Sequence, residues 1–218
     1  MEFLSEMIQN FSKYFSEKYN TESYPNQNYE SVKFLYEKCI EFNPDMVMDI
    51  GTNFGASTIS FMRAMEALSK PLSLITTIDL DHDHWKNKTP KIQKIDLSKV
   101  KTITSDFKLI DPLSVIQNVR YFIFYDIHDT DSFSFSGKFI NEWIPRLKNS
   151  IIAFHDVSIV SKDFEWRQDN NQYPMETIEY NGKFYAGYRE CKTIIEWVKE
   201  KNIEIFDVPK TSIVWIKI

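Results

Sequence analysis

Met46-Val-Met-Asp49-Ile50 runs without a break into Gly51-Thr52-Asn53-Phe54-Gly55-Ala-Ser57-Thr58. Five mostly apolar residues in succession read as a strand buried on both faces. The two glycines mark a place where backbone must turn tightly and another group can approach closely. From residue 57 to 68, apolar residues then recur at helical spacing. Strand, glycine turn and helix together open a parallel α/β sheet. A dinucleotide turn carries G-x-G-x-x-G, and Asn53 stands where the second glycine of that pattern admits pyrophosphate, so a nicotinamide dinucleotide is the weaker candidate ligand.

The same alternation continues outward. Short apolar runs at 74–78, 100–104, 121–125 and 151–154 join 46–50 as strand candidates, with helical patterns at 57–68, 111–117 and 137–147 between them. Residues 81–99 are too polar to assign. The final runs, 203–208 and 212–218, are separated only by Pro209-Lys-Thr211, too short for a parallel crossover, so they should pair antiparallel. The expected architecture is α/β: a Rossmann-like, mostly parallel sheet of seven strands with a C-terminal antiparallel strand and helices on both faces. Ahead of it, Phe3, Leu4, Met7, Ile8, Phe11, Tyr14 and Phe15 fall at helical spacing, and Val32, Leu35, Tyr36, Cys39 and Ile40 do so again up to Asn43-Pro44. We expect residues 1–44 to form a helical cap and 45–218 to form one domain.

A chain of 218 residues with 43% hydrophobic and 26% charged residues is long enough to bury one sizeable core and too short for two enzymatic domains. Its formal charge of -5 gives no general pull toward nucleic acid or anionic membranes. Cys39 and Cys191, the only cysteines, both lie in amphipathic patterns and read as small buried residues rather than a disulfide framework. Met1-Glu-Phe-Leu-Ser-Glu6 lacks a basic segment followed by an apolar run, and no stretch nears the ~20 apolar residues of a membrane span. The expected compartment is the cytoplasm, and the expected partner a small molecule, not nucleic acid or membrane.

The pattern D-x-G-x-x-x-G over Asp49 to Gly55 resembles the first motif of class I S-adenosylmethionine-dependent methyltransferases, whose fold is similar to the sheet expected for residues 45–218. The resemblance implies that Asp49, Gly51, Thr52, Asn53, Gly55 and Ser57 pack against the methionine part and ribose of S-adenosylmethionine. The next strand ends in Ile78-Asp79-Leu-Asp81, and a carboxylate at such a strand end accepts from both hydroxyls of a ribose; Asp79 is the first choice and Asp81 the reserve. Thr104-Ser-Asp106-Phe107 resembles the family's adenine corner, with Asp106 accepting from the exocyclic amine and Phe107 offering a ring face. For each aspartate the competing reading is a solvated strand end or a helix cap.

Two further strands end in chemistry-bearing clusters: 121–125 leads into Asp126-Ile-His128-Asp129, and 151–154 into His155-Asp156-Val157. Adjacent strands lie about 5 Å apart, so Asp126, His155 and Asp156 can converge on one divalent cation. The pair of clusters resembles the metal-dependent O-methyltransferases that include sugar methyltransferases of macrolide pathways and cephalosporin-hydroxylase-like proteins. The resemblance implies Asp126, His155 and Asp156 as magnesium ligands, although an imidazole suits manganese better than that hard ion. Sugar-type members carry a histidine three residues after the first aspartate. Here Asp129 holds that place and His128 precedes it, which leaves both as candidates for removing the acceptor's proton. The competing reading makes the two aspartates strand-end caps and His155 a satisfied histidine. His82 and His84, within Asp81-His-Asp-His-Trp85, read as solvated surface residues.

Residues 158–189 carry Phe164, Trp166, Tyr173, Tyr180, Phe184, Tyr185 and Tyr188 among polar residues. The segment reads as a lid or homodimer arm that suits a ring-bearing acceptor, or as packing against the N-terminal helices. Lys148-Asn-Ser150 replaces the family's Gly-Gly before the fifth strand, and Asn149 can take the left-handed turn in its stead. The function expected is methyl transfer from S-adenosylmethionine to a hydroxyl of a sugar or other small hydroxylated metabolite, assisted by a divalent cation. The alternatives are a metal-independent methyltransferase with a histidine base, and a non-catalytic binding module.

Overall fold

The structure, a computed structural model, describes residues 1–19, 29–93, 95–162 and 176–218. Seven strands form the main sheet, in the edge-to-edge order β3 (Lys101–Thr104), β2 (Ile75–Asp79), β1 (Met46–Ile50), β4 (Tyr121–Tyr125), β5 (Ile151–Phe154), β10 (Val214–Lys217) and β9 (Phe206–Asp207). Pairing is parallel along β3-β2-β1 and between β4 and β5, whereas β10 runs antiparallel to both β5 and β9. The mostly parallel α/β sheet with a reversed C-terminal strand is therefore present as the sequence predicts. Among the described residues, no helix is long and apolar enough to cross a membrane. The chain comprises two compact units, Met1–Asp106 and Phe107–Ile218.

In the first unit, α1 (Glu2–Tyr19) buries Leu4, Met7 and Phe11, and α2 (Tyr29–Phe42) buries Val32, Leu35 and Cys39, one stripe on each helix. The two helices thus form as the 3.6-residue spacing predicts; the side chain of Phe15 and the break at 20–28 lie outside the described residues. β1 leads through the glycine turn into α3 (Ala56–Ala67), which starts and ends one residue earlier than expected. The stretch 81–99, too polar to assign, holds a π-helical turn (His84–Lys88) and α4 (Thr89–Gln93). Gln93 ties this segment to α1, donating through Nε2 to the Met7 carbonyl at 3.0 Å.

In the second unit, the helix predicted over 111–117 is only a single 3-10 turn, Pro112–Ser114, capped by Asp111, which accepts from the Leu113 N–H at 2.9 Å. The one predicted over 137–147 starts earlier, at α5 (Phe135–Lys138), and passes through a π turn (Phe139–Trp143) into a 3-10 turn (Ile144–Arg146). Pro145 has no N–H for a regular helical ladder, which accounts for the irregular end. Asn149 adopts φ 47° and makes the turn expected of it.

The described part of residues 158–189, expected as a lid or dimer arm, contributes to a separate antiparallel sheet, in the order β6 (Val157–Val160), β8 (Lys183–Gly187), β7 (Glu176–Tyr180). The β7–β8 hairpin turns at Asn181-Gly182 with φ 50° and 71°, the backbone that a two-residue hairpin with right-handed strand twist demands. Tyr180 and Tyr185 are buried in its packing. Phe164, Trp166 and Tyr173 lie outside the described residues. The hairpin leads directly into α6 (Arg189–Lys201), which buries Cys191, Ile194, Ile195 and Val198.

Candidate functional site

At the carboxyl end of β1 the chain turns on Gly51 (φ 89°), Asn53 (φ 47°) and Gly55 (φ 79°), all in the left-handed region. The Gly51 N–H donates to the Ile78 carbonyl at 2.8 Å and the Gly55 N–H to the Thr52 carbonyl at 2.7 Å. A Cβ on Gly55 would fall inside the indole of Trp85, so both backbone angle and space require glycine there. Asp79, at the end of β2, meets the crest of this turn: its Oδ2 accepts from the Asn53 N–H at 2.7 Å and its Oδ1 from the Asp81 N–H at 3.3 Å. Each oxygen keeps lone-pair capacity for a ribose hydroxyl. Asp81 instead caps the next turn, accepting from the Asp83 N–H at 2.7 Å.

Other predicted loop residues face inward. Asp49 is fully buried, and its Oδ2 accepts from the Ser57 hydroxyl at 2.8 Å and from Thr58, both in the first turn of α3. The positive end of the helix dipole adds to this pairing, so Asp49 and Ser57 lock β1 to α3. Thr52 is buried as well. Phe54 packs against Phe11, Tyr14 and His84. The solvated reading of His82 needs correction: it is 2% exposed and bridges strands, with Nε2 3.2 Å from Thr77 Oγ1 and Nδ1 2.8 Å from Thr104 Oγ1. Hydroxyls on two neighbouring strands satisfy both ring nitrogens, which the polar sequence around it conceals. Asp106 is half-buried at its strand end. Phe107, 3% exposed, stacks on Trp143 with centroids 4.8 Å apart and touches Tyr125 and Phe139, so its ring belongs to an aromatic cluster.

The second unit brings Asp126, His155 and Asp156 together at the carboxyl ends of β4 and β5, with one ligand atom from each within 4.8 Å of the others. The His155 N–H donates to the Tyr125 carbonyl at 3.0 Å and continues the parallel ladder, which sets His155 beside Asp126. His155 Nδ1 lies 3.0 Å from Asp126 Oδ1 and 3.3 Å from Asp156 Oδ2. Successive residues of an extended strand point to opposite faces. Asp156 breaks that rule by adopting φ 55°, and its carboxylate returns to the side of His155. On the far side of the cluster, Ser212 Oγ is 3.3 Å from His155 Nε2 and 3.4 Å from Asp156 Oδ1.

His128 reaches the cluster from the next loop, its Nε2 3.5 Å from Asp156 Oδ2 and its Nδ1 2.7 Å from Glu190 Oε1. Glu190, in the first turn of α6, is 2% exposed and also accepts from the Asp129 N–H at 3.2 Å. Burial alone would lower the His155 pKa, but Asp126 and Asp156 overcome it and push it up to about 10. Burial likewise disfavours charge on His128, and Glu190, Asp156 and Asp126 reverse the sign. Burial works against ionisation of Asp156 too, yet His155, His128 and Ser212 hold it below its ordinary value. The carboxylates thus draw positive charge into the space between them.

No protein-family model and no curated protein sequence matches the chain. Solved structures do. Podospora anserina methyltransferase PaMTH1, determined with S-adenosylhomocysteine bound, superimposes over 99% of this chain and 87% of its own at 12% identity and a TM-score of 0.61. The O-methyltransferase NovP covers 99% of this chain and 97% of its own at 11% identity, TM-score 0.59. An S-adenosylmethionine-dependent methyltransferase from Clostridium acetobutylicum covers 96% and 97% at 12% identity, TM-score 0.50. The chain has the class I methyltransferase fold.

Within that methyltransferase fold, sequence reasoning missed Glu190 and Ser212. Glu190 resembles any solvated acid in a first helical turn, and only the burial of α6 against its own unit separates it from one. Ser212 carries no signal beyond its place beside the last strand. Asp129, expected as a base, is 6% exposed and accepts from Ser134 Oγ at 2.8 Å, the Ser136 N–H at 2.8 Å and Ser136 Oγ at 2.6 Å. Three donors commit that carboxylate to holding the entry of α5.

Proposed function

We propose that the chain is an S-adenosylmethionine-dependent O-methyltransferase that modifies a hydroxyl of a sugar or similar small hydroxylated metabolite with the help of a divalent cation. The observation that carries this reading is the convergence of Asp126, His155 and Asp156 on one point at the carboxyl ends of β4 and β5. The comparisons support it through neighbours that are themselves methyltransferases, one with S-adenosylhomocysteine bound.

The residues of the glycine turn suit a nucleoside cofactor: left-handed backbone at three positions makes the tight turn that a ligand can approach closely, and Asp79 stands at the crest with acceptor capacity for a ribose. Gly51, Asn53, Gly55 and Asp79 are the residues we assign to it directly; Asp49, Thr52 and Ser57 support the turn from behind, and Asp106 is assigned to the adenine edge. The second cluster suits a cation because two carboxylates and an imidazole bring one donor atom each within 4.8 Å of the others. Its mixed nitrogen and oxygen donors favour manganese over magnesium.

A sulfonium methyl is already activated, so the chain has to align an acceptor oxygen with it and make that oxygen nucleophilic. A bound divalent cation would lower the pKa of a coordinated hydroxyl. Asp126, His155 and Asp156 would hold that cation and so set where such a hydroxyl sits. Two roles fit His128: taking the hydroxyl's proton, or joining the ligand set.

Labelled-methyl transfer to a panel of sugars and small hydroxylated acceptors, with and without EDTA, tests the reading. Turnover should fall at least 100-fold with EDTA and return with manganese. Gly51→Val should abolish the thermal shift caused by S-adenosylhomocysteine, whereas Asp156→Ala should keep that shift and lose turnover. EDTA-insensitive transfer would leave the methyltransferase and remove the metal; no thermal shift with the wild-type chain would remove the cofactor.

A further inference from the structure

We infer that Ser212 is a positioning residue of the cation site: its hydroxyl takes the outer atoms of two ligands, His155 Nε2 and Asp156 Oδ1, so that Nδ1 and Oδ2 are left to face the ion. The inference rests on the proposed function, which assigns a divalent cation to Asp126, His155 and Asp156. It names the residue that decides which atom of two of those ligands meets the metal.

Donor atoms gather only in one orientation of each side chain. His155 Nδ1 lies 3.0 Å from Asp126 Oδ1 and 3.3 Å from Asp156 Oδ2. Half a turn of the imidazole about its Cβ–Cγ bond would put a carbon where Nδ1 stands, and a quarter turn of the Asp156 carboxylate would point neither oxygen into the cluster. Backbone fixes where both side chains begin. The His155 N–H is held by the Tyr125 carbonyl. Asp156, at φ 55°, is backed by Gly187, its neighbour across the β6–β8 pairing, where a Cβ would fall 2.0 Å from the Asp156 carbonyl oxygen. What remains is rotation of the two side chains, and Ser212 touches both.

A hydroxyl can donate and accept at once, whereas an ionised carboxylate only accepts. The Ser212 proton therefore goes to Asp156 Oδ1, at 3.4 Å, and its lone pairs are left for an Nε2–H of His155, at 3.3 Å. That pair of bonds places the ring proton on Nε2 and the lone pair on Nδ1, beside the two carboxylates. Metal-bound imidazoles almost always donate their other N–H to a fixed acceptor, which sets this tautomer. Ser212 is itself anchored. β10 pairs with β5 in the register Val214 to Phe154, and the Val157 N–H donates to the Ser212 carbonyl at 3.1 Å, which carries the pairing past Asp156. Thr211 closes the turn before it, donating to the Val208 carbonyl at 2.8 Å and accepting from the Ile213 N–H at 3.0 Å. The serine thus meets both ligands from a corner held by backbone.

Metal binding to the full chain tests this apart from turnover. The metal-free protein would be titrated with Mn2+, following free Mn2+ by electron paramagnetic resonance, with circular dichroism confirming that each variant is folded. Ser212→Ala should lose about 10-fold in Mn2+ affinity, the usual effect of removing an orienting partner, and Ser212→Thr, which keeps the hydroxyl, should stay within about threefold of wild type. The chain has four histidines, so their 15N resonances can be assigned in the Zn2+-loaded wild type. His155 should there carry its proton on Nε2 and bind the metal through Nδ1. A Mn2+ affinity in folded Ser212→Ala within about twofold of wild type, equal losses in the alanine and threonine variants, or a Zn2+-loaded wild type with the His155 proton on Nδ1 overturns the inference while leaving the three-residue site. A wild-type chain that binds neither Mn2+ nor Zn2+ removes the underlying reading as well. Should Ser212→Ala fail to fold, the protonated nitrogen of His155 in wild type decides.

Discussion

A single methyl group distinguishes the glycines that this chain needs. At Gly55 an alanine would meet both a left-handed backbone and the ring of Trp85; at Gly182 it would meet the backbone alone, since nothing lies within 4 Å of the added carbon. Gly182→Ala should therefore cost about 1 kcal/mol of stability, whereas Gly55→Ala should cost about 3 kcal/mol or more. Urea denaturation of the two variants checks the ranking, and equal losses would contradict the geometry of the turn. His82 offers a pH test. Burial lowers its pKa from the usual 6.5, against an opposing pull from Asp79. As pH falls below that usual value, the unfolded chain takes up a proton that the folded chain refuses, so stability drops until the lowered folded pKa is reached. Above that window the residue contributes no pH dependence. His82→Gln should flatten the difference in unfolding free energy between about pH 7.5 and about pH 5.5 relative to wild type; an unchanged difference would show that the imidazole does not resist protonation.

Elements differ in how local their causes are. β1, β4 and β5 match the predicted runs end to end, because a strand buried on both faces is a continuous apolar word in the sequence. The β7–β8 hairpin also has a local signal, the Asn-Gly of Tyr180-Asn-Gly-Lys183 between alternating residues, which the reading of residues 158–189 as an aromatic-rich lid or arm passed over. The irregular helix after β4 is not legible to that degree, since its π and 3-10 turns follow from Pro145 together with the packing of Phe139 and Trp143. Its entry depends on Asp129. Asp129→Ala would release the Ser136 N–H and two hydroxyls at once and should destabilise the fold by about 2 kcal/mol. Asp129→Asn, which still accepts from the backbone, should cost less. If Asp129→Asn instead keeps full stability and loses turnover, the residue acts on protons rather than on the helix entry.

At the scale of the molecule, the proposed function is a set of linkage statements. A ligand that binds only the folded state at about 100 times its Kd adds about 2.7 kcal/mol to the unfolding free energy. S-adenosylhomocysteine at that excess should raise the melting temperature accordingly, and EDTA should lower it in a chain purified with its cation. A melting temperature indifferent to S-adenosylhomocysteine would remove the cofactor from the account.

By itself the sequence determined the strand order's ingredients: which segments are apolar enough for a buried sheet, where glycines permit the turn after β1, and which acids and histidines end the strands. Those are local properties, written in composition and spacing. Only the tertiary structure decided what each polar side chain faces. Asp49, His82 and Asp129 are buried and bonded to hydroxyls or backbone, while Asp156 is bent back toward His155 and Glu190 reaches His128 from 62 residues further along the chain. Distance along the chain carries no information about such pairings, because they are set by where packed elements leave a donor within reach of an acceptor.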